Sequence, residues 1–352
     1  MKILVIAETT AMISGAGRTA QSTLDAYARA GIEYAVLTAS IRVTLLGAVK
    51  NMLKARRMAR DCDSVHAYDM WPYVVYGWCA VVGTKKKLFI TGVGTYSVAP
   101  FNNLFKRILL GIACRRASKI FSISRYTTKR IKEKINLNNI VEVYLGAPLL
   151  PTLTEDERMS LTKEFPITGS PVLLTVGQIK HRKGQLDTVR AVAKLKKDFP
   201  NILYCIVGSN VDTRYVDEIK KFVATEHLES NVLLIHNVRS DKALAYLYQR
   251  CDVFVMNSNN DGDHFEGFGL VFLEAEQFGK PVVGSHDCGI EDALSDGDNG
   301  YLSKQGDAGD IAEKIAKVLS NADELGQHSK EFYSHFSWDR TVAEYKKYYL
   351  EG

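Results

Sequence analysis

Hydrophobic and polar positions along the chain alternate between two patterns. Short runs of β-branched and apolar residues are followed by longer stretches with apolar positions every three or four residues. In the first half "KILVIAE", "YAVLTA", "KLFIT" and "KIFSIS" read as buried strands, with helical segments such as 20–29 between them. In the second half "PVLLTVG", "LYCIVG", "NVLLIHN", "CDVFVMNS" and "KPVVGS" repeat the scheme. Such alternation predicts an α/β fold of parallel sheets flanked by helices. A chain of 352 residues is too long for one ordinary core, so two doubly wound domains are expected. Pro148, Pro151, Pro166 and Pro171 interrupt both patterns and place the junction near 146–151. The expected division is 1–148 and 149–335, with a terminal helix over about 336–352 returning to the first domain. Two such domains would face each other across a cleft at the carboxyl ends of their strands, where folds of this kind bind ligands.

Composition narrows the class. Hydrophobic residues at 46% and charged residues at 24% fit a folded globular chain. No uncharged apolar run reaches the 18 residues a spanning helix needs, and "WPYVVYGWCAVVG" reads as a buried helix or strand. Glu8 follows the first apolar run too soon for a secretory signal, and the six cysteines fall at none of the close spacings that chelate zinc. Reduced thiols in a cytoplasmic protein are the expectation. Charge divides the chain: 1–150 holds 22 Lys and Arg against 8 Asp and Glu, whereas the remainder is net acidic. Two surfaces with different partners follow from that split.

The richest chemistry lies in "DHFEGFGLVFLEAEQFGKPVV", 263–283. A strand ends in a loop, "EGFG" turns, and "LVFLEAEQF" has helical composition that stops at Gly279, before Pro281. The glycines therefore sit at a helix N-terminus, where free N–H groups and the helix dipole suit a diphosphate. Glu266 and Glu274 lie eight residues apart and reach a ligand at different depths; a carboxylate accepts paired hydroxyl hydrogen bonds from a polyol. By spacing alone, Glu274 and Glu276 read equally well as solvated helix residues.

This stretch resembles the signature of retaining glycosyltransferases of family four, and "VGQIKHRKGQLDTVRAVAKL", "IVGS", "CDVFVMNS", "CGIEDAL", "GDNGYL" and the closing "FSW…Y" stand in the order that family shows. The first half matches more weakly, through "SGAGR" and "FSISRYTTKRI". The resemblance implies a GT-B fold, two Rossmann-like domains, and transfer of a hexose-type sugar from a UDP- or GDP-sugar to a hydroxyl, with retention and without a metal or other cofactor. It implies that Glu266 contacts the transferred sugar, that Glu274 holds the ribose, and that Lys183 neutralises the leaving diphosphate. Gly267 and the amides of Phe268, Gly269 and Leu270 would meet sugar and phosphates, and Gly15 would approach the donor from the first domain. The family's usual arginine is Gln178 here, with Arg182 as a substitute. The histidine many relatives carry in the first domain is absent from "FITGVGTYS", which leaves Thr91 or a loop backbone in its place.

Two rival activities share some of these features. A nucleotide-sugar epimerase has the same architecture but would act on donor alone. A nucleic-acid partner would use the basic half, yet that half does not interleave aromatics with its cations as such modules do. The basic excess has a different reading. The stretches 44–61 and 101–119 place apolar residues at helical spacing beside Lys54, Arg56, Arg57, Arg60, Lys106 and Arg107. Apolar positions at such spacing ordinarily face a core, while clustered cations dock on anionic lipid. The expectation is peripheral association with the inner face of a membrane, and a glycan or lipid-linked acceptor, as in lipopolysaccharide or glycolipid synthesis.

Overall fold

The computed structural model describes residues 1–10, 15–236, 238 and 240–351. The chain separates into two compact units, Met1–Gly146 with Phe336–Gly352, and Ala147–His335. The first unit begins with β1 (Lys2–Ala7), α1 (Gly15–Arg29), β2 (Glu33–Thr38), α2 (Leu45–Met58), β3 (Ser64–Tyr68) and α3 (Tyr73–Val81). It continues through β4 (Lys87–Gly92), α4 (Leu104–Arg116), β5 (Lys119–Ser122), α5 (Arg125–Lys134) and β6 (Ile140–Glu142). Among the described residues these strands form one parallel six-stranded sheet in the order β2-β1-β3-β4-β5-β6.

The second unit contains α6 (Glu155–Glu164), β7 (Val172–Val176), α7 (Gln185–Leu195), β8 (Leu203–Val207), α8 (Thr213–Thr225), β9 (Val232–Ile235) and α9 (Asp241–Arg250). It ends with β10 (Val253–Val255), α10 (Leu270–Gln277), β11 (Val282–Ser285), β12 (Gly300–Ser303), α11 (Ala308–Leu319) and α12 (Ala322–Ser334). Its sheet is also parallel, in the order β12-β11-β10-β7-β8-β9. Leu173, Ile206, Val253, Val255 and Val283 of these strands are buried in one core with the apolar faces of α7, α8 and α11. Loops leaving the carboxyl ends of β7 and β10, in the middle of the sheet, are the ones a doubly wound fold uses for ligands.

Helix α13 (Trp338–Leu350) belongs to the first unit and brings Tyr345 and Tyr349 against β3. There His66 is held between the hydroxyls of Tyr349, 2.6 Å from Nδ1, and Thr91, 2.8 Å from Nε2. Burial lowers His66 to about 3, so the ring is neutral. Thr91 is fully buried in this network, which also includes Tyr345. Its hydroxyl therefore has no access to a donor sugar, and the place expected for it beside the donor is corrected here.

The apolar residues of α2 and α4 also depart from expectation, because they do not face the core. Both helices pack on α3, which is apolar on all sides and largely buried. The contact is made through small residues, Ala55 on α2 and Gly111, Ala113 and Cys114 on α4. The large residues are left outside: Leu45 is 85% and Leu104 72% exposed, and Leu46, Leu53, Phe105 and Ile108 are exposed with them. No helix among the described residues is long and apolar enough to cross a membrane.

Candidate active site

Three close backbone approaches assemble the site in the second unit. Gly269, in the left-handed region at φ +96°, is the N-cap of α10 and supplies no capping side chain. Gly289 donates its N–H to the Glu266 carbonyl at 2.8 Å, and a Cβ on Gly289 would lie 2.0 Å from the Gly267 carbonyl oxygen. The turn is thus pinned against the loop after β11, with Phe268 buried beneath it. On the neighbouring strand, Gly184 has φ +67° and a Cβ there would meet the Asn257 carbonyl oxygen at 1.8 Å. Only glycine permits this approach, which sets the turn His181–Lys183 against the end of β10.

The consequence is a charge cluster at the mouth of α10. Lys183 Nζ lies 2.5 Å and Arg182 Nη1 3.3 Å from Glu266 Oε2. Burial alone would raise the Glu266 carboxyl, but the charges of Lys183 and Arg182 and their hydrogen bonds outweigh it and hold the group at about 2. Lys180 stands nearby, its amine lowered by burial and by the charges of Arg182 and Lys183. Three cations thus share one carboxylate, an excess suited to an anion of two phosphates. Gln178 holds this loop rather than reaching into the cluster: its Oε1 accepts from Lys180 Nζ at 3.0 Å and its carbonyl from Gln185 Nε2 at 3.0 Å.

Glu274 is 5% exposed and accepts a hydrogen bond from the Tyr248 hydroxyl of α9 at 2.7 Å. Glu276, two residues on, is fully buried; Asn299 Nδ2 donates to its Oε1 at 2.9 Å, and Oε2 has no partner among the described residues. Burial drives the Glu276 carboxyl well above the ordinary carboxylate range. Neither acid is the solvated helix residue that spacing alone allows. Tyr248 was not legible as a site residue, since a tyrosine at helical spacing in α9 carries no mark beyond an amphipathic face.

The family profile described as glycosyl transferases group 1 matches residues 158–333, half of the chain. The chain belongs to the glycosyl transferases group 1 family. It is 25% identical to the uncharacterized glycosyltransferase MJ1178 of Methanocaldococcus jannaschii, over 82% of this chain and 75% of that protein. It is 23% identical to the N-acetyl-alpha-D-glucosaminyl L-malate synthase of Bacillus anthracis, over 83% and 75%. The solved structure of Anabaena Alr3699/HepE in complex with UDP superposes with a TM-score of 0.81 at 19% identity, covering 99% of this chain and 100% of that one. WaaG, a glycosyltransferase involved in lipopolysaccharide biosynthesis, gives 0.71 at 15% identity over 99% and 100%. The protein is therefore a glycosyltransferase with the GT-B fold, each unit a Rossmann-like α/β domain.

The group 1 assignment places the other expected residues in context. Glu266, Gly267, Phe268, Gly269, Leu270, Arg182 and Lys183 gather at one end of the second sheet, and Gln178 stands behind them. Gly15 opens α1, while Ser14 of the "SGAGR" stretch lies outside the described residues. Among the basic residues, Lys54, Arg57, Arg60 and Arg107 are exposed on or beside α2 and α4. Arg56 differs, because its Nη1 donates to the carbonyls of Cys79 and Val82 at 3.0 Å and so caps the C-terminus of α3. Lys106 Nζ stands 5.1 Å from the ring centre of Trp71.

Proposed function

We propose that this glycosyltransferase moves a hexose from a nucleoside-diphosphate sugar, with retention, to a hydroxyl of a lipid-linked or glycolipid acceptor at an anionic membrane surface. The observation that carries the proposal is the Lys183–Glu266 pair at 2.5 Å beside Arg182, set at the uncapped N-terminus of α10. An arriving diphosphate competes with Glu266 for the two cations. That exchange frees the carboxylate to accept hydrogen bonds from the hydroxyls of the sugar. Lys183, Arg182 and the α10 amides then meet charge that grows as the glycosidic bond breaks, the condition under which fixed charges accelerate a reaction most. Glu274, oriented by Tyr248, takes the ribose hydroxyls, and the reaction needs no group beyond the donor and acceptor.

UDP is favoured as the donor nucleotide because Alr3699/HepE is solved with UDP and glucose. A membrane-borne acceptor is supported by the exposed apolar and basic faces of α2 and α4. It is also supported by the likeness, 24% identity over 47% of the chain, to a phosphatidylinositol monomannoside mannosyltransferase of Mycolicibacterium smegmatis. A thermal-shift panel of UDP- and GDP-sugars, followed by NMR of the anomeric proton in the product, tests the reading. UDP should raise the melting temperature by mass action and the product should keep the donor's anomeric configuration; no shift with either nucleotide, or an inverted product, contradicts it.

A further inference from the structure

The first unit carries a second built pocket, and its chemistry is opposite to that of the cationic cluster. It lies at the carboxyl ends of β1, β3 and β4, spans roughly 470 Å³ with its mouth included, and is lined by Glu8, Asp69, Trp71, Tyr73 and Tyr96 with Thr19. That size falls in the range of small-molecule sites. Although the unit is strongly basic, no Lys or Arg among the described residues lines this pocket; the nearest recorded cation is Lys106, over the Trp71 ring. Asp69 is held in the left-handed region at φ +69°. Its Oδ1 accepts from Ser97 Oγ at 2.8 Å and from its neighbour Met70 N at 2.9 Å. Burial, with a smaller contribution from the Glu8 charge, raises its carboxyl to about 7. Glu8 makes no hydrogen bond or ion pair among the described residues. Tyr73 is 3% exposed, yet its hydroxyl has no hydrogen-bond partner although it lines the pocket.

An orphaned buried hydroxyl is costly, and a ligand that satisfies it gains the difference. Two carboxyl groups repel an anion. An ammonium supplies donors alone and leaves the Tyr73 proton without an acceptor. A sugar hydroxyl donates to a carboxylate and accepts from Tyr73 at once, while Trp71 and Tyr96 offer ring faces to its C–H surface. We infer that this pocket binds an uncharged sugar or other polyol and rejects carboxylated and phosphorylated ones. Resting on the transfer reading above, this makes the pocket the subsite that selects a neutral glycan terminus as acceptor.

The test titrates methyl α-glucoside, methyl α-mannoside, glucosamine, glucuronate and glucose 6-phosphate into the full chain, with binding read by saturation-transfer NMR and calorimetry. A neutral glycoside should bind at least about tenfold more tightly than the two anions. Tyr73→Phe should weaken that binding by about tenfold with an unchanged melting temperature, because the hydroxyl removed has no partner in the free protein. Asp69→Asn should weaken it as well. Equal binding of the anions, preference for glucosamine, binding of no probe, or a Tyr73→Phe affinity equal to the parent's overturns the inference. The UDP thermal shift, run on the same samples, separates the two readings. Neutral glycoside binding without a UDP shift overturns the transfer reading, while a UDP shift with no glycoside binding overturns the pocket.

Discussion

At the scale of single residues, the acids divide by their surroundings. Glu266 is kept ionised by its cations, and Glu276 is kept protonated by a core with one Asn299 amide to meet it. For Glu276 the folded state holds a proton that the unfolded chain releases above about pH 4.3. Its burial therefore costs stability that grows as pH rises from there toward the folded value. Glu276→Gln should match the parent's thermal stability near pH 4 and exceed it at pH 7; a difference that does not change with pH, measured by calorimetry at both values, counts against a neutral carboxyl. Glu274→Gln keeps the shape but loses the charge and an acceptor site. We expect a loss of about 1–3 kcal/mol in transition-state stabilisation, read from kcat/KM. Glu266, Glu274 and Lys183 were legible in the sequence because glycines and acids at fixed spacing carry the family pattern. Tyr248, Tyr73 and Asp69 were not, since their significance lies in what they touch, or fail to touch, across the fold.

At the scale of elements, strands with unbroken apolar runs were legible and polar ones were not. β3 reads "SVHAY", and its Ser64 and His66 disguise a fully buried strand whose histidine is satisfied by tyrosines from distant helices. β6 and β12 are too short and mixed to stand out. The turn before α7 depends on Gly184, and Gly184→Ala should cost at least about 1–2 kcal/mol from the left-handed backbone alone. The clash with Asn257 adds to this and displaces Lys183, so melting temperature and turnover should fall together. Amphipathic spacing in α2 and α4 was legible, but its direction was not, because the sequence does not reveal that α3 fills the place those apolar faces would take. Their exposure changes the membrane prediction from an electrostatic one to a mixed one. Binding to anionic vesicles in co-sedimentation should fall steeply with salt. It should weaken when Arg57 and Arg60 become Glu, and also when Leu45, Leu46 and Leu53 become Ser. Equal binding to neutral and anionic vesicles, or none to either, contradicts a docking face on these helices.

At the scale of the whole molecule, the opposite charge balances of the two halves match two kinds of site. The net acidic part of the sequence carries the cationic cluster that suits a diphosphate, and the basic part carries an acid-lined pocket, so net charge describes the surface and not the site. The two-sheet architecture was legible from the repeated strand–helix rhythm, whereas the pocket of the first unit arises from strand ends far apart in sequence. The central claim is that Lys183 meets charge developing on a departing diphosphate. Its most direct measurement is the single-turnover rate of nucleotide release from the UDP-sugar that gives the largest thermal shift, with acceptor lipid in anionic vesicles, for the parent and Lys183→Ala. The account predicts a rate roughly 10²–10³-fold lower for the variant, with donor affinity changed far less; an unchanged rate with only weakened donor binding would contradict it.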